Sequence, residues 1–321
     1  MEQLQRGRSL FSGARPDLGL DPTVVHSRKL FLEGCVICCQ SLVGHFGDSG
    51  ADEVEVCWSL KRNQVILSGG REGRGTLLKR PALCPMKHLS ATEAAAIPLD
   101  VQQRGVDVGV AILLQTSNQR VLLTRRTKEL RIFPNIWVAP GGHVEPQETL
   151  LDAGLRELRE ETGLELGPEE TSPKILGLWE SVYPPMLSRG LPQRHHLVIF
   201  MLLRSSRSHL QLQASLAPCP AEVSACLWAD RRLSGAIASA VDGEPLPVGP
   251  DDLLSSVSVS LVSPGGGLSD TSLPVSVFVS RVPVTVPDVE QVSSGTRFAL
   301  KQWLKRPVTS DPSGSASSVL F

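Results

Sequence analysis

The chain has 321 residues, 41% of them apolar, with 32 basic and 33 acidic side chains for a net charge of −1. That length leaves room for two domains with a sizeable core. The balanced charge excludes the broad basic footprint of a protein that coats nucleic acid, so any nucleic-acid substrate has to be gripped locally; seven scattered cysteines exclude a secreted disulfide framework and fit reduced thiols.

Residues 1–100 read as one small α/β region. The opening MEQLQRGRSLFSG lacks the apolar run of a signal peptide. Leu30 to Phe46 reads as a buried or amphipathic helix. Its apolar part, Leu30 to Val43, carries Glu33 and is too short to cross a bilayer. A soluble protein of the cytoplasm or nucleus, with no membrane partner, is expected. Cys35 and Cys38, with Cys84 and His88, offer four zinc-type ligands. The first pair, however, lies in an apolar run without a glycine between the cysteines, so small buried hydrophobes are the preferred reading. Glu53 to Ser68 reads as two strands around Lys61-Arg62-Asn63. A Gly/Arg-rich loop follows at 69–76, and Ala91 to Ile97 is a linker or short helix.

Residues 105–240 are better organised. Gly105–Gln115 and Arg120–Thr124 are β-rich runs around the turn Thr116-Ser117-Asn118, and Trp137-Val138-Ala139 is a further strand ended by Pro140-Gly141-Gly142. A helix is expected from about Glu148 to Thr162, with Gly163 as its left-handed C-cap. Strands follow at Ile175–Tyr183, His196–Leu203 and Val223–Trp228, then a helix at Arg231–Val241. The extension 241–306 alternates in the strand manner at Val257–Val262 and Val275–Val286 around Pro264-Gly265-Gly266-Gly267, and ends in an amphipathic helix at Gly295–Leu304. The Ser/Pro-rich segment 307–321 has the composition of a disordered tail.

The helix after Gly142 carries the chemistry. At 100° per residue Leu151, Leu155, Leu158 and Thr162 form one stripe for the sheet, and Glu157, Glu160 and Glu161 share a neighbouring face. Three carboxylates within about one turn repel one another, and hard oxygen donors grouped this way suit Mg²⁺ or Mn²⁺. Glu148 stands at the helix start, where the dipole favours negative charge, and Arg156 lies on roughly its face. The paired glycines allow a tight loop whose carbonyls can add ligands. Taken singly, each part also reads as an ordinary solvated acidic helix.

Together they resemble the Nudix box. Gly142, Glu148, Arg156, Glu157, Leu158, Glu160, Glu161, Gly163 and Leu164 occupy every defined position of that signature over 23 residues. The resemblance implies an α/β/α sandwich around a mixed sheet, and hydrolysis of a pyrophosphate bond in a nucleoside-diphosphate-linked substrate with Mg²⁺ or Mn²⁺. By the same resemblance Glu157, Glu160 and Glu161 bind the ions, helped by the Gly141 carbonyl. Arg156 and Glu148 hold the helix, with Gly142 and Gly163 shaping its ends. Glu160, Glu161 or Glu222 takes the proton of the attacking water. Glu222 sits where many members carry a late-loop carboxylate, although an exposed loop Glu is an equal reading. RGVDVGVAILLQ, WVAPGGHVE, LGLWESVYPP and HHLVIF are similar to the family's 7-methylguanosine cap mRNA hydrolases, which points to capped RNA. The alternatives are a pyrophosphatase for small nucleoside-diphosphate metabolites, which the weak charge favours, and a binding module without turnover, which the intact box disfavours. Substrate specificity belongs to loops outside the box. Tyr183 could stack on a base there, and Arg189, Arg194, His195 and His196 could meet phosphates. The two histidines are adjacent, so on a strand at most one faces the site. Arg125, Arg126, Lys128 and Arg131 read more readily as a solvated basic loop than as an RNA contact.

Overall fold

A computed structural model describes residues 23–26, 29–31, 40–48, 50–61, 64–70, 75–167, 170, 172–240, 255–279 and 290–307. In chain order the N-terminal elements are β1 (Thr23–His26), β2 (Lys29–Phe31), α1 (Leu42–Phe46), β3 (Glu53–Lys61), β4 (Gln64–Gly69), β5 (Thr76–Lys79), α2 (Pro85–His88), α3 (Ala91–Ala96) and α4 (Leu99–Gln102). Then come β6 (Asp107–Gln115), β7 (Val121–Arg126), β8 (Ile136–Val138), β9 (Gly141–His143), α5 (Leu150–Thr162), β10 (Lys174–Tyr183), β11 (Arg194–Arg204), α6 (His209–Gln213), β12 (Val223–Ala229) and α7 (Arg231–Ser239). The chain continues as β13 (Ser256–Val262), β14 (Leu268–Pro274), α8 (Ser276–Val279), β15 (Gln291–Val292) and α9 (Ser294–Leu304).

The strands form one mixed sheet in the order β14-β13-β12-β7-β6-β11-β10-β5-β3-β4-β1-β2, with β9 on β6 and β8 between β7 and β15. Its centre is the parallel pair β6–β11, in register from Asp107↔His196 to Gln115↔Arg204. Both faces of these strands are covered, so both read as nearly unbroken apolar runs. Val108, Val110, Ile112 and Leu114, with Leu197, Ile199, Met201 and Leu203, point to one core, where Leu150, Ala153 and Leu158 of α5 meet them. Leu113, Phe200 and Leu202 point to the other, filled by Leu233 and Ile237 of α7 and Phe298, Leu300 and Trp303 of α9. This is the expected α/β/α sandwich around a mixed sheet. No helix among the described residues is long and apolar enough to cross a membrane.

The N-terminal sheet joins this centre through the parallel pair β5–β10, Leu78↔Leu178. A buried carboxylate reinforces the junction. Glu180 of β10 accepts hydrogen bonds from Ser41 Oγ (2.8 Å), Leu42 N (2.9 Å) and Val43 N (3.0 Å), and lies 3.0 Å from His195 Nε2. Burial pushes its carboxyl up, but His195, Val43 and Ser41 together hold it below the usual carboxylate range. Arg80, itself buried, donates to Ser41 Oγ.

Several expectations are corrected. Leu30 and Phe31 belong to strand β2, because the β1–β2 hairpin claims them for the sheet; among the described residues of the expected helix, Leu42–Phe46 is helical. Cys35, Cys38 and Cys39 lie outside the described residues. Cys84 is buried, and desolvation, with Glu180 adding to it, pushes its thiol up to about 12. His88 Nε2 is 2.9 Å from the Ala82 carbonyl. The loop expected at 69–76 runs from the end of β4 to the start of β5, a strand that the sequence reading did not place. The strand expected at Val275–Val286 is instead helix α8 where described, and the partner of β13 is Leu268–Pro274. The β13–β14 hairpin turns through Gly266, whose φ of +80° favours glycine.

Candidate active site

Helix α5 begins at Leu150, two residues later than the sequence suggests. Thr149 is its N-cap, accepting from Asp152 N–H at 3.1 Å, while Asp152 accepts back from Thr149 N–H and Oγ, a capping box. Gly163 ends it with φ +71°. Its buried stripe is Leu150, Ala153, Gly154, Leu158, Glu161 and Thr162, rotated from the expected one, so that Leu151 and Leu155 pack at the margin. The rotation follows from Gly154. A Cβ there would stand 2.5 Å from Ile112 Cδ1 and 3.1 Å from Met201 Cε, so the helix rests directly on β6 and β11 at that point. One turn further along, Glu157 stands half-buried beside this stripe, and two turns along Glu161 stands within it.

The loop before the helix fits this approach. Gly142 has no room for a side chain, because its Cβ would fall on the Glu157 carboxylate. The Gly141 N–H donates to Glu161. Arg156 binds loop and helix into one body. Its Nε and Nη2 donate to the two oxygens of Glu148 at 2.7 and 3.1 Å, and Nη2 also donates to the His143 carbonyl at 2.9 Å. Nη1 reaches Glu157 Oε1 at 2.9 Å and Glu160 Oε2 at 3.0 Å. These partners, Glu148 first, raise the guanidinium's affinity for its proton. Glu148 lies just before the N-cap, in a turn where it also accepts from Glu145 N–H.

The carboxylates differ in surroundings. Glu161 is 4% exposed, and its Oε2 has no hydrogen-bond partner among the described residues. Burial pushes its carboxyl up to about 8; Arg126 and the Gly141 N–H oppose the shift, and Glu157 and Glu222 add to it. Burial also raises Glu157, with Glu160 and Glu222 contributing. Glu160 is half exposed and held by Arg156. Glu222, exposed on the turn before β12, comes close enough for its charge to act on Glu157 and Glu161. The fold thus gathers four carboxylates from two separate segments, with one buried oxygen left unpaired. Such a donor set fits a hard divalent cation, which offsets the mutual repulsion and supplies the missing partner.

Arg126 is the member that sequence reading missed. It does not belong to a solvated loop. Its Nε and Nη2 donate to the Phe133 and Ile132 carbonyls at 3.1 Å each, and its charge faces Glu161, Glu222 and Glu157. The signal was strand alternation: Leu122, Thr124 and Arg126 share one face of β7, and the first two are buried. Arg125 points the other way, over the Trp137 ring, and pairs with Glu290 at 2.9 Å. Lys128 and Arg131 are exposed. Tyr183 packs edge-on against Phe133 at 5.3 Å. His195 and His196 do face opposite ways: His195 joins Glu180, and His196 lies near Asp107 and His143.

A NUDIX domain model matches residues 104–233. The chain is also 57% identical over 272 residues to the m7GpppN-mRNA hydrolase NUDT17 of Danio rerio, covering 84% of this chain and 91% of the relative. The chain belongs to the Nudix family. Proteins of the same name from Xenopus laevis (45% identical, 87% of this chain and 93% of the relative) and Homo sapiens (46% identical, 77% and 76%) match as well. Nudix hydrolases generally need divalent metal ions, in keeping with the oxygen donors gathered here. The Nudix match ends at residue 233, whereas α9, at 294–304, fills much of the second core.

Proposed function

We propose that this Nudix protein is an mRNA cap hydrolase that uses Mg²⁺ or Mn²⁺, cleaving the cap to release 7-methyl-GDP and a 5′-monophosphate RNA. The substrate reading is supported by the name its relatives share, m7GpppN-mRNA hydrolase, at 45–57% identity. The observation that carries the chemistry is Glu161, a buried carboxylate with one unpaired oxygen beside Glu157 and Glu222.

Glu157, Glu160 and Glu161 are assigned as ion ligands, with the Gly141 carbonyl. An ion held there would offset charge on the scissile phosphates and make the attacking water more acidic. Glu148 and Arg156 keep the loop Gly141-Gly142 at a fixed distance from α5. Glu160, Glu161 or Glu222 is assigned to take the water's proton, Glu222 from a turn apart from the helix. Arg126 offsets the acidic cluster from the side of β7 and limits its repulsion. Substrate specificity is assigned to loops outside the box.

The test is product release from capped RNA and from small nucleoside diphosphates, with each ion, for wild type beside Glu161→Gln. Release of 7-methyl-GDP is expected, falling by roughly 10²–10⁴-fold in the variant. Turnover of small dinucleotides alone would remove the cap assignment and keep the pyrophosphate chemistry.

A further inference from the structure

A second group of ligand-type side chains lies on the sheet face opposite α5. Strand β9 presents Gly142 to Glu157, so its next residue, His143, points the other way. His143 pairs with Gly109, two positions from Asp107 on β6, and Asp107 pairs with His196 on β11. The register of three strands therefore places Asp107, His143 and His196 on one face. One ligand atom from each lies within 4.8 Å of the others. The two imidazole rings are 5.3 Å apart and tilted by 53°. Neither imidazole makes a side-chain hydrogen bond among the described residues, and His196 Nε2 stands 3.9 Å from Asp107 Oδ2.

We propose that Asp107, His143 and His196 bind one transition-metal ion of the Zn²⁺ class, at a site separate from the carboxylate cluster. The donor set decides the class. Two imidazoles and one carboxylate suit Zn²⁺, whereas the all-oxygen cluster on α5 suits Mg²⁺ or Mn²⁺. Three protein ligands leave a fourth position open, as at zinc sites that meet water or a substrate oxygen. His143 is exposed, so that position is reached from solvent. Arg194 is one competing partner of Asp107. Its Nη1 stands at 3.5 Å and its side chain is 40% exposed, a long and open ion pair that can yield the carboxylate to an ion. The two sites share a strand, because the His143 carbonyl accepts from Arg156 while its ring serves the second site.

The experiment is Zn²⁺ titration calorimetry on the full chain in saturating Mg²⁺, followed by Co²⁺ substitution read in the visible spectrum. Wild type is expected to take up one Zn²⁺, and Glu161→Gln to keep it. His143→Ala, at an exposed position that leaves the core intact, should weaken binding beyond the ~10–100-fold typical of an outer-sphere partner. The isosteric Asp107→Asn should weaken it too. Co²⁺ should give the d–d bands of a low-coordinate ion without thiolate charge transfer. The proposal is overturned if wild type takes up no Zn²⁺, if either His143→Ala or Asp107→Asn binds like wild type, or if Glu161→Gln loses the ion. A thiolate charge-transfer band would also overturn it, by placing the ion on cysteines.

Discussion

Glu161 ties the stability of the fold to pH. Its carboxyl titrates at about 8 in the folded chain, against an ordinary value near 4.5. Between those values the folded state holds a proton that the unfolded state has released, so without metal the stability falls as pH rises through this window, by up to ~1.4 kcal/mol per pH unit. Glu161→Gln should remove that slope, measured as the difference between wild-type and variant unfolding free energies from pH 5 to 8. Added Mg²⁺ or Mn²⁺ competes with the same proton and should stabilise the wild type more at pH 8 than at pH 6. Gly142 makes a second, independent test. The three atoms nearest a Cβ there all belong to the Glu157 carboxylate, so Gly142→Ala should push that group out of place and raise the metal concentration needed for half activity by ~10–100-fold. The box residues were legible in the sequence because their spacing along one helix is fixed by 3.6 residues per turn. Arg126 was not, since its role depends on which face of β7 it occupies. Asp107, His143 and His196 come from three strands whose pairing no local pattern announces.

At the scale of elements, the helices on the two faces are seated by glycines. Gly154 lets α5 down onto β6 and β11, and Gly177 does the same for α9 on β10. A Cβ at Gly177 would stand 2.5 Å from Phe298 Cζ and 3.2 Å from the Leu77 carbonyl oxygen, neither of which yields easily. Gly177→Ala is therefore expected to cost ~1–3 kcal/mol by overpacking, read from the midpoint of urea unfolding. Strands with two buried faces, such as β6 and β11, were plain in the sequence as apolar runs. Strand β14 was not: its LSDTSLP segment pairs with β13 alone and keeps polar side chains exposed, so no apolar alternation marks it. Of the helix expected across Leu30–Phe46, Leu42–Phe46 is helical while Leu30 and Phe31 are strand, because apolar periodicity over a short run does not separate a buried helix from a strand.

Across the whole molecule, Glu180 is the tie between the N-terminal segment and the central sheet. Its carboxyl is held low, so the stability it contributes is present above the ordinary carboxylate value and is lost as pH falls through the folded value. Removing it leaves Ser41, two backbone N–H groups and His195 without their acceptor. Glu180→Ala should cost ~3–5 kcal/mol by chemical denaturation and speed hydrogen exchange at Leu42 and Val43. The β5–β10 junction beside it carries a consequence for how the protein is made. Leu78 and Leu178 are neighbours across the sheet but lie one hundred residues apart along the chain. A ribosome adding ~5–20 residues per second leaves the edge of β5 waiting several seconds for its partner. During that time the nascent chain offers an open strand edge, the kind of surface on which wrong pairing begins. The covering helix α9 emerges later still, so one face of the sheet stays open until the chain is nearly complete.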